Sequence, residues 1–260
     1  MSASATPSPK RLPRLPRRLR YGEEATLVEH LDELRTRLIV SLAALTFGFI
    51  VAFVFHRRII HWLENALPHA RRHLITLSVG EPFMTSIWVA IYAGFLIALP
   101  IILWQLWGFL MPAIEEHHQR RILAFVVIAT ALLVVGLLFG YYVGLPKALH
   151  FLTNYDDQIY NVQIRARDYL SFATAMMLAF ALVFELPIFV LALVSLGVLS
   201  SSTLRRQRRL GYFIVACIAV ALPGVDPVTT TLETVPLLIL FEGSIWASYF
   251  FERRTGRIVE

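Results

Sequence analysis

Charged side chains are scarce in this sequence. Asp, Glu, Lys and Arg together make up 16% of its 260 residues, whereas soluble globular domains carry about 25%. Hydrophobic residues reach 57%. This balance excludes an ordinary soluble domain and indicates that much of the chain lies in an apolar environment.

Three further features are missing. The single cysteine, Cys217, excludes an intrachain disulfide framework. The sequence has no G-x-x-x-x-G-K-[ST] run, which excludes a P-loop nucleotide site, so any energy source must be external. Residues 1–22 are rich in Pro and Arg and lack an apolar segment, so we expect no cleavable signal peptide.

Long apolar runs are what the sequence does contain. Four stretches without a charged residue are 18, 32, 25 and 16 residues long, and they cover residues 38–55, 83–114, 122–146 and 169–184. A helix needs roughly 20 residues to cross a bilayer core of about 30 Å. Two more segments, 210–225 and 227–251, look short for a bilayer. We therefore predict an all-α polytopic membrane protein with six transmembrane helices, in a curved bundle whose last two helices are short.

The distribution of Lys and Arg predicts the topology. A basic tail (1–25) precedes the predicted transmembrane domain (26–252), and a short tail (253–260) follows it. With six spans, one side of the membrane collects 17 Lys and Arg and the other collects 7. The positive-inside rule assigns the larger group, and both termini, to the cytoplasm. The basic residues that set this topology also account for the net charge of +6. We therefore expect no nucleic-acid partner.

The segment before the first span predicts an amphipathic helix. Leu27, Leu31, Leu34 and Leu38 recur at helical spacing and form one apolar stripe, and Glu29, Glu33 and Arg37 lie four residues apart on the polar side. Such a helix lies along the membrane interface. The simplest interpretation of Glu33 is an ion pair with Arg37, worth about 0.2–0.5 kcal/mol.

The same segment carries a family resemblance. Residues 30–38 read H-L-D-E-L-R-T-R-L, which resembles the H-L-x-E-L-R-x-R-L signature of the TatC family of twin-arginine protein translocases. Further segments resemble the family in the same order, at residues 99–109, 111–113, 168–172, 184–187, 222–226 and 240–242. The resemblance covers residues 27–251.

This resemblance implies a function. TatC proteins lie in the prokaryotic cytoplasmic membrane, bind twin-arginine signal peptides of folded precursor proteins, and nucleate the complex that exports those precursors with the proton-motive force. The implied partners are TatA- and TatB-type single-span subunits and further copies of the chain, within the lipid bilayer. The resemblance implies no catalytic activity, no cofactor and no metal.

The resemblance also assigns signal-binding residues. Glu33 matches the signal-binding glutamate of the N-terminal motif, and we expect Arg35 and Phe109 beside it. A second glutamate normally follows the second span, but His118 or Gln119 occupies its position in this chain. Glu116, with Glu115 after it, is the expected substitute.

A second group of polar residues lies deeper in the chain. A charged residue at the centre of a membrane span costs about 2.5–3.5 kcal/mol on insertion scales, which makes Glu185 a functional candidate, and Pro187 follows it. Asp226 and Thr230 lie in the last hairpin, which in the family neighbours the docking surface for the partner subunits. The alternative for this pair is helix capping. Glu233 and Glu242 are expected to be solvated near an interface.

Two other functions share these residues. A proton-coupled secondary transporter of a small solute would use Glu185 as its coupling carboxylate. An intramembrane metalloprotease would combine Glu115, Glu116 and Arg120 with His150 and Asn154. A whole predicted span separates these two groups, so the ligands would lie on opposite faces of the membrane and fail to converge on one ion.

Overall fold

The protein is an all-helical bundle. The computed structural model describes residues 27–68, 74–110, 119–156, 158–159, 162–224 and 226–255. The α-helices are α1 (Leu27–Val54), α2 (His56–Glu64), α3 (Glu81–Leu110), α4 (Gln119–Phe139), α5 (Leu145–Asn154), α6 (Ala166–Phe184), α7 (Leu186–Ser195), α8 (Ser201–Arg206), α9 (Arg208–Ala221) and α10 (Pro227–Thr255). A π-helical turn, Gly140–Gly144, joins α4 to α5. The predicted all-α class is confirmed.

Five helical stretches are long and apolar enough to cross a membrane. They are Leu31–Val54, Glu81–Phe109, Leu123–Asn154, Ala166–Ser195 and Pro227–Arg253. Helix α9 forms the sixth crossing. It is shorter than the others, since its 14 residues extend only about 21 Å. The chain is therefore a multi-pass membrane protein, as the apolar runs predict.

Two details differ from the sequence prediction. The third span does not stop at Pro146, since helix α5 continues it to Asn154. Helix α10 has 29 residues, so only α9 of the last two helices is short. The glutamates that made the last segment look short are accommodated within α10, where Glu233 is buried and Glu242 pairs with Arg208 of α9.

Successive spans alternate in direction. Helix α1 packs on α3, α3 and α4 pack on α6, and α10 packs on α7 and α9. An even number of crossings brings Leu27 and Thr255 to the same end of the bundle, which we call the Glu33 end because it carries Glu33, Gln105 and Glu252. The opposite end, with Glu81, Leu63 and Arg165, is called the Glu81 end.

An ion pair closes the Glu81 end. The Arg165 Nε and Nη2 atoms donate to Glu81 Oε1 and Oε2 over 2.8 and 3.0 Å, and the Glu81 side chain is only 2% exposed. The hydrogen bond to Glu81 raises the pKa of the Arg165 guanidinium. A parallel bridge between Ile75 and Arg165 supports this pair, so the segment before α3 is fixed to the start of α6.

Two tyrosines attach helix α2 to the same end. The Tyr141 hydroxyl donates to the Trp62 carbonyl over 2.8 Å, and the Tyr169 hydroxyl donates to the Leu63 carbonyl over 2.6 Å. These carbonyls lie in the last turn of α2, and they also accept hydrogen bonds from the backbone N–H groups of Asn65 and Ala66 over 3.2 and 3.0 Å. Helix α2 therefore lies across the bundle as a fixed cap.

Helices α1 and α3 cross at two glycines. A β-carbon on Gly94 would lie 2.6 Å from the Cα and N atoms of Phe49, and one on Gly48 would overlap the Gly94 carbonyl oxygen. Only glycine permits this backbone approach. Small residues at helix crossings are the usual means by which membrane helices pack closely.

We expect Gly94→Ala to destabilise the protein by about 1–3 kcal/mol, because the added methyl group forces two backbones apart. The control is Gly243→Ala, since a β-carbon there meets open space. Thermal unfolding in detergent micelles measures both variants. Equal midpoints for the two would contradict the close crossing.

Candidate functional site

The Glu33 end contains a carboxylate that already binds a guanidinium. Arg37, one turn further along α1, donates from Nε and Nη2 to the Oε1 atom of Glu33 over 2.9 and 2.5 Å. The Glu33 side chain is 34% exposed and the Arg37 side chain 22%. The predicted ion pair is thus present, and it is partly shielded from water.

Helix α3 completes the surroundings of this guanidinium. The Arg37 Nη1 atom donates to the main-chain carbonyl of Gln105 over 3.3 Å. A β-carbon on Gly108 would collide with the same guanidinium. The junction of α1 and α3 therefore has a binding surface for one arginine side chain. It consists of the Glu33 carboxylate, the Gln105 carbonyl and the backbone at Gly108.

Arg37 and Gly108 are functional candidates that the sequence prediction did not include. The signal for Arg37 was present in the spacing of the N-terminal motif, where it follows Glu33 by four residues. Gly108 gave no such signal, because a glycine near the end of an apolar helix has many explanations. Only the tertiary contact between α1 and α3 identifies it.

The remaining predicted signal-binding residues have different positions. Arg35 is exposed on α1, and Phe109 is half-buried in the last turn of α3. Gln119 is the first residue of α4. Glu115, Glu116 and His118 lie outside the described residues, so their assignment stays a prediction.

Glu185 lies at a break between two helices. Helix α6 ends at Phe184 and α7 begins at Leu186, with Pro187 in its first turn. The Glu185 side chain is half-buried, and its Oε1 atom has no hydrogen-bond partner among the described residues. The structure thus places a carboxylate inside the fourth span, and one of its oxygens is buried without a donor among the described residues.

Asp226 and Thr230 hold the turn between α9 and α10. The Asp226 Oδ1 atom accepts hydrogen bonds from the backbone N–H groups of Val228 and Thr229 over 3.1 and 2.8 Å. The Thr230 hydroxyl donates to the Gly224 carbonyl over 3.3 Å. The capping interpretation therefore describes one oxygen of Asp226, while Oδ2 is buried without a partner in the part of the chain that the structure describes.

Glu233 corrects the sequence prediction. It is only 1% exposed, whereas a solvated side chain near an interface was expected. Neither of its carboxylate oxygens has a hydrogen-bond partner within the described residues. The available signal was its spacing of four from Thr229 and seven from Asp226, which places all three on one helix face.

Glu242 is half-buried between α9 and α10. It accepts a hydrogen bond from the Tyr212 hydroxyl, and its Oε2 atom lies 3.4 Å from the Arg208 Nη2 atom. This carboxylate therefore has charged and polar partners, unlike Glu233 on the same helix.

The metalloprotease arrangement has no support in this geometry. Arg120 lies in the first turn of α4, just before the third span, and His150 lies in α5 near the end of that span, about 45 Å away along the helical axis. Within the described residues no group of three or more His, Cys, Asp or Glu side chains is placed to hold a metal ion.

The decisive comparison is with protein families. A family model described as the Sec-independent protein translocase protein (TatC) matches residues 29–236. The chain belongs to the TatC family. The resemblance of the N-terminal motif is thereby confirmed, and the chain is a component of a Sec-independent protein translocase.

Individual TatC proteins match over nearly their full lengths. The TatC of Carboxydothermus hydrogenoformans is 34% identical over 87% of this chain and 94% of its own length. The TatC of Aquifex aeolicus is 34% identical over 89% and 98%, and TatCd of Bacillus subtilis is 32% identical over 90% and 96%.

Two crystal structures of the twin-arginine translocase receptor TatC share the fold. Their TM-scores are 0.77 and 0.75, each at 33% sequence identity. They cover 84% and 85% of this chain and 99% and 98% of their own chains. The TatC family and fold give no support to the small-solute transporter.

Proposed function

We propose that this chain is the receptor subunit that binds twin-arginine signal peptides of folded precursor proteins. One observation carries the proposal: at the Glu33 end, Glu33 binds the guanidinium of Arg37 against the carbonyl of Gln105. A surface that accommodates one arginine side chain has the chemistry needed for an arginine of a signal peptide.

The geometry supports a direct role for Glu33. Both donors of Arg37 end on Oε1, so an incoming guanidinium binds through Oε2 or replaces Arg37. Charge-assisted hydrogen bonds from arginine to carboxylate are short and directional, and a lysine ammonium lacks the planar fork that makes two of them at once. This difference gives a physical basis for a preference for arginine.

A second carboxylate is needed for the second arginine. We propose Glu116, with Glu115 as the next candidate, and we expect His118 and Gln119 to line the same surface with Arg35 and Phe109. The support is positional. Helix α3 ends and helix α4 begins at the Glu33 end, and residues 111–118 connect them.

We propose that both termini are cytoplasmic and that the membrane is the prokaryotic cytoplasmic membrane. The 17-to-7 division of Lys and Arg supports this orientation, because basic residues are retained on the cytoplasmic side. The Glu33 end then faces the compartment in which precursors are made.

The wider assembly is part of the same proposal. The chain works with TatA- and TatB-type single-span subunits and with further copies of itself, and the last hairpin with Asp226 and Thr230 contributes to the partner surface. Export uses the proton-motive force. In this role the chain is not an enzyme and needs no cofactor.

Site-specific photocrosslinking tests the receptor role. A photoreactive residue at Leu34 should crosslink a twin-arginine signal peptide, and further positions in residues 27–37 and 111–121 extend the scan. The matched control is Leu152, because both leucines are 42% exposed but Leu152 lies at the Glu81 end. Equal crosslinking at the two positions would overturn the proposed site.

Cysteine labelling tests the orientation. In a Cys217→Ala background, a membrane-impermeant thiol reagent added to intact cells should modify Ile159→Cys, which is exposed at the Glu81 end. It should leave Gln207→Cys, exposed at the Glu33 end, unmodified until the membrane is opened. The reverse pattern would invert the proposed topology.

A further inference from the structure

The turn between α9 and α10 encloses four polar atoms that have no partner among the described residues. They are both carboxylate oxygens of Glu233, the hydroxyl of Thr229 and the Oδ2 atom of Asp226. Glu233 is 1% exposed and Thr229 is fully buried. Buried polar groups are normally hydrogen-bonded, so a cluster of four unsatisfied atoms indicates that something is bound there.

These atoms share one small volume. Thr229 and Glu233 lie on one face of α10, four residues apart, and Asp226 caps the helix three residues before Thr229. A β-carbon on Gly224 would press on the Thr229 side chain and lie 3.7 Å from Glu233 Oε1. Gly224 of the turn therefore lies directly against the cluster, where a larger side chain would not fit.

The cluster lacks hydrogen-bond donors. Ionised carboxylates are acceptors only, and Oδ1 of Asp226 is already used by the N-terminal cap of α10. The only hydrogen atom among the four polar atoms is that of the Thr229 hydroxyl. Two neighbouring carboxylates whose buried oxygens lack donors in the described residues are unstable as a pair of anions.

No cation near the cluster compensates these charges in the described residues. Helix α7 carries no titratable side chain. The other elements packed on α10 contribute the following groups: Arg205 and Arg206 of α8 at the Glu33 end, Arg208, Arg209, Tyr212 and Cys217 of α9, Lys147 and His150 of α5, Tyr141 and Tyr142 of the π-helical turn, and Arg167, Asp168 and Tyr169 of α6.

We propose that Glu233 and Asp226 form a proton-binding site that holds one exchangeable proton between the two carboxylates. The proton adds to one oxygen of Glu233, and this new O–H group donates to Oδ2 of Asp226. On protonation the Thr229 side chain rotates so that its hydroxyl donates to the other oxygen of Glu233. One proton thus gives every unsatisfied atom of the cluster a partner, and no bond other than O–H forms or breaks.

The position of the site gives it a role in export. The turn lies towards the Glu81 end, which the proposed topology places on the outer, proton-rich side of the membrane. Protonation from that side would leave a single negative charge on the pair, and deprotonation would leave two anions at the start of α10 and loosen the hairpin. This coupling rests on the proposed function, whereas the proton site itself does not.

Infrared spectroscopy of the protein in lipid nanodiscs tests the site directly. A protonated carboxyl has a C=O stretching band that a carboxylate lacks. At neutral pH we expect Glu233→Gln to lose the intensity of one carboxyl group and Asp226→Asn to shift its frequency. Glu242→Gln is the control, because Glu242 has Arg208 and Tyr212 as partners and should contribute no such band.

Two results would overturn the proton site. The carboxyl band of Glu233→Gln could equal that of the unchanged protein, which would mean that Glu233 is ionised. Alternatively, the Glu233 band could arise only after sodium and potassium are removed, which would mean that a metal cation occupies the cluster. The variant Glu233→Gln keeps the shape of the side chain, so its helical content serves as the folding check.

The coupling is tested separately. Glu233→Gln should export a folded reporter at least tenfold more slowly at a fixed proton-motive force, with an unchanged Kd for a twin-arginine peptide. Normal export by a variant that has lost the carboxyl band would overturn the coupling but leave the proton site. Absence of peptide binding by the unchanged protein would instead contradict the proposed receptor role.

Discussion

Glu33→Gln is expected to weaken binding of a twin-arginine signal peptide by about 10- to 150-fold. The substitution keeps the size of the side chain but removes the charge that holds a guanidinium, and one charge-assisted hydrogen bond contributes about 1.5–3 kcal/mol. Isothermal titration of the detergent-solubilised protein measures the change in Kd. A peptide with two lysines should bind weakly to both proteins.

Two neighbouring variants separate binding from helix stability. Asp32→Asn removes an exposed carboxylate from the preceding position of α1 and should leave the Kd unchanged. Arg37→Gln breaks the same ion pair as Glu33→Gln but leaves the carboxylate available, so it should not weaken binding. If Glu33→Gln and Arg37→Gln weakened peptide binding equally, Glu33 would be a structural residue that joins α1 to α3.

The second carboxylate is tested by coupling. If Glu33 and Glu116 bind the two arginines of one peptide, Glu116→Gln should weaken binding, and the double variant should deviate from the sum of the single effects. The same cycle with Glu115→Gln ranks the two candidates. A larger loss from His118→Ala than from either glutamate would assign the second contact to a histidine.

The sequence predicted the bundle well because its signals are local. Long charge-free runs can form only helices in a bilayer, since every backbone N–H and C=O group must be satisfied within the segment. The H-L-x-E-L-R-x-R-L motif likewise spans barely two turns of α1. Both features depend on neighbours in sequence, and both were confirmed.

The predictions that failed depend on contacts between residues that are distant in sequence. Glu233 and Glu242 look alike in sequence, but α9 supplies Arg208 and Tyr212 to Glu242, while the turn closes over Glu233. The arginine surface at the Glu33 end depends on Gly108, which lies far from Glu33 in sequence. Such contacts arise only from the packing of helices, so apolar periodicity carries no information about them.

Glu185→Leu is expected to abolish export of a folded reporter while leaving membrane insertion and signal-peptide binding intact. The carboxylate lies at the α6–α7 break and takes no part in the contacts between Glu33, Arg37 and Gln105, so the Kd should not change. Its removal makes the span more apolar, which favours insertion, since a charged residue at the span centre costs about 2.5–3.5 kcal/mol. We expect the polar group to be needed when the complex assembles around this break.

The conservative variant decides between polarity and charge. Glu185→Gln keeps the shape and the hydrogen-bonding capacity, so export should fall less than in Glu185→Leu, because the break remains polar. Export and peptide binding are measured on the same membranes, with Glu64→Gln as a control for a carboxylate of the α2 cap. Full export by Glu185→Leu would make the buried carboxylate incidental, and a loss of peptide binding in Glu185→Gln would instead assign Glu185 to the architecture of the receptor surface.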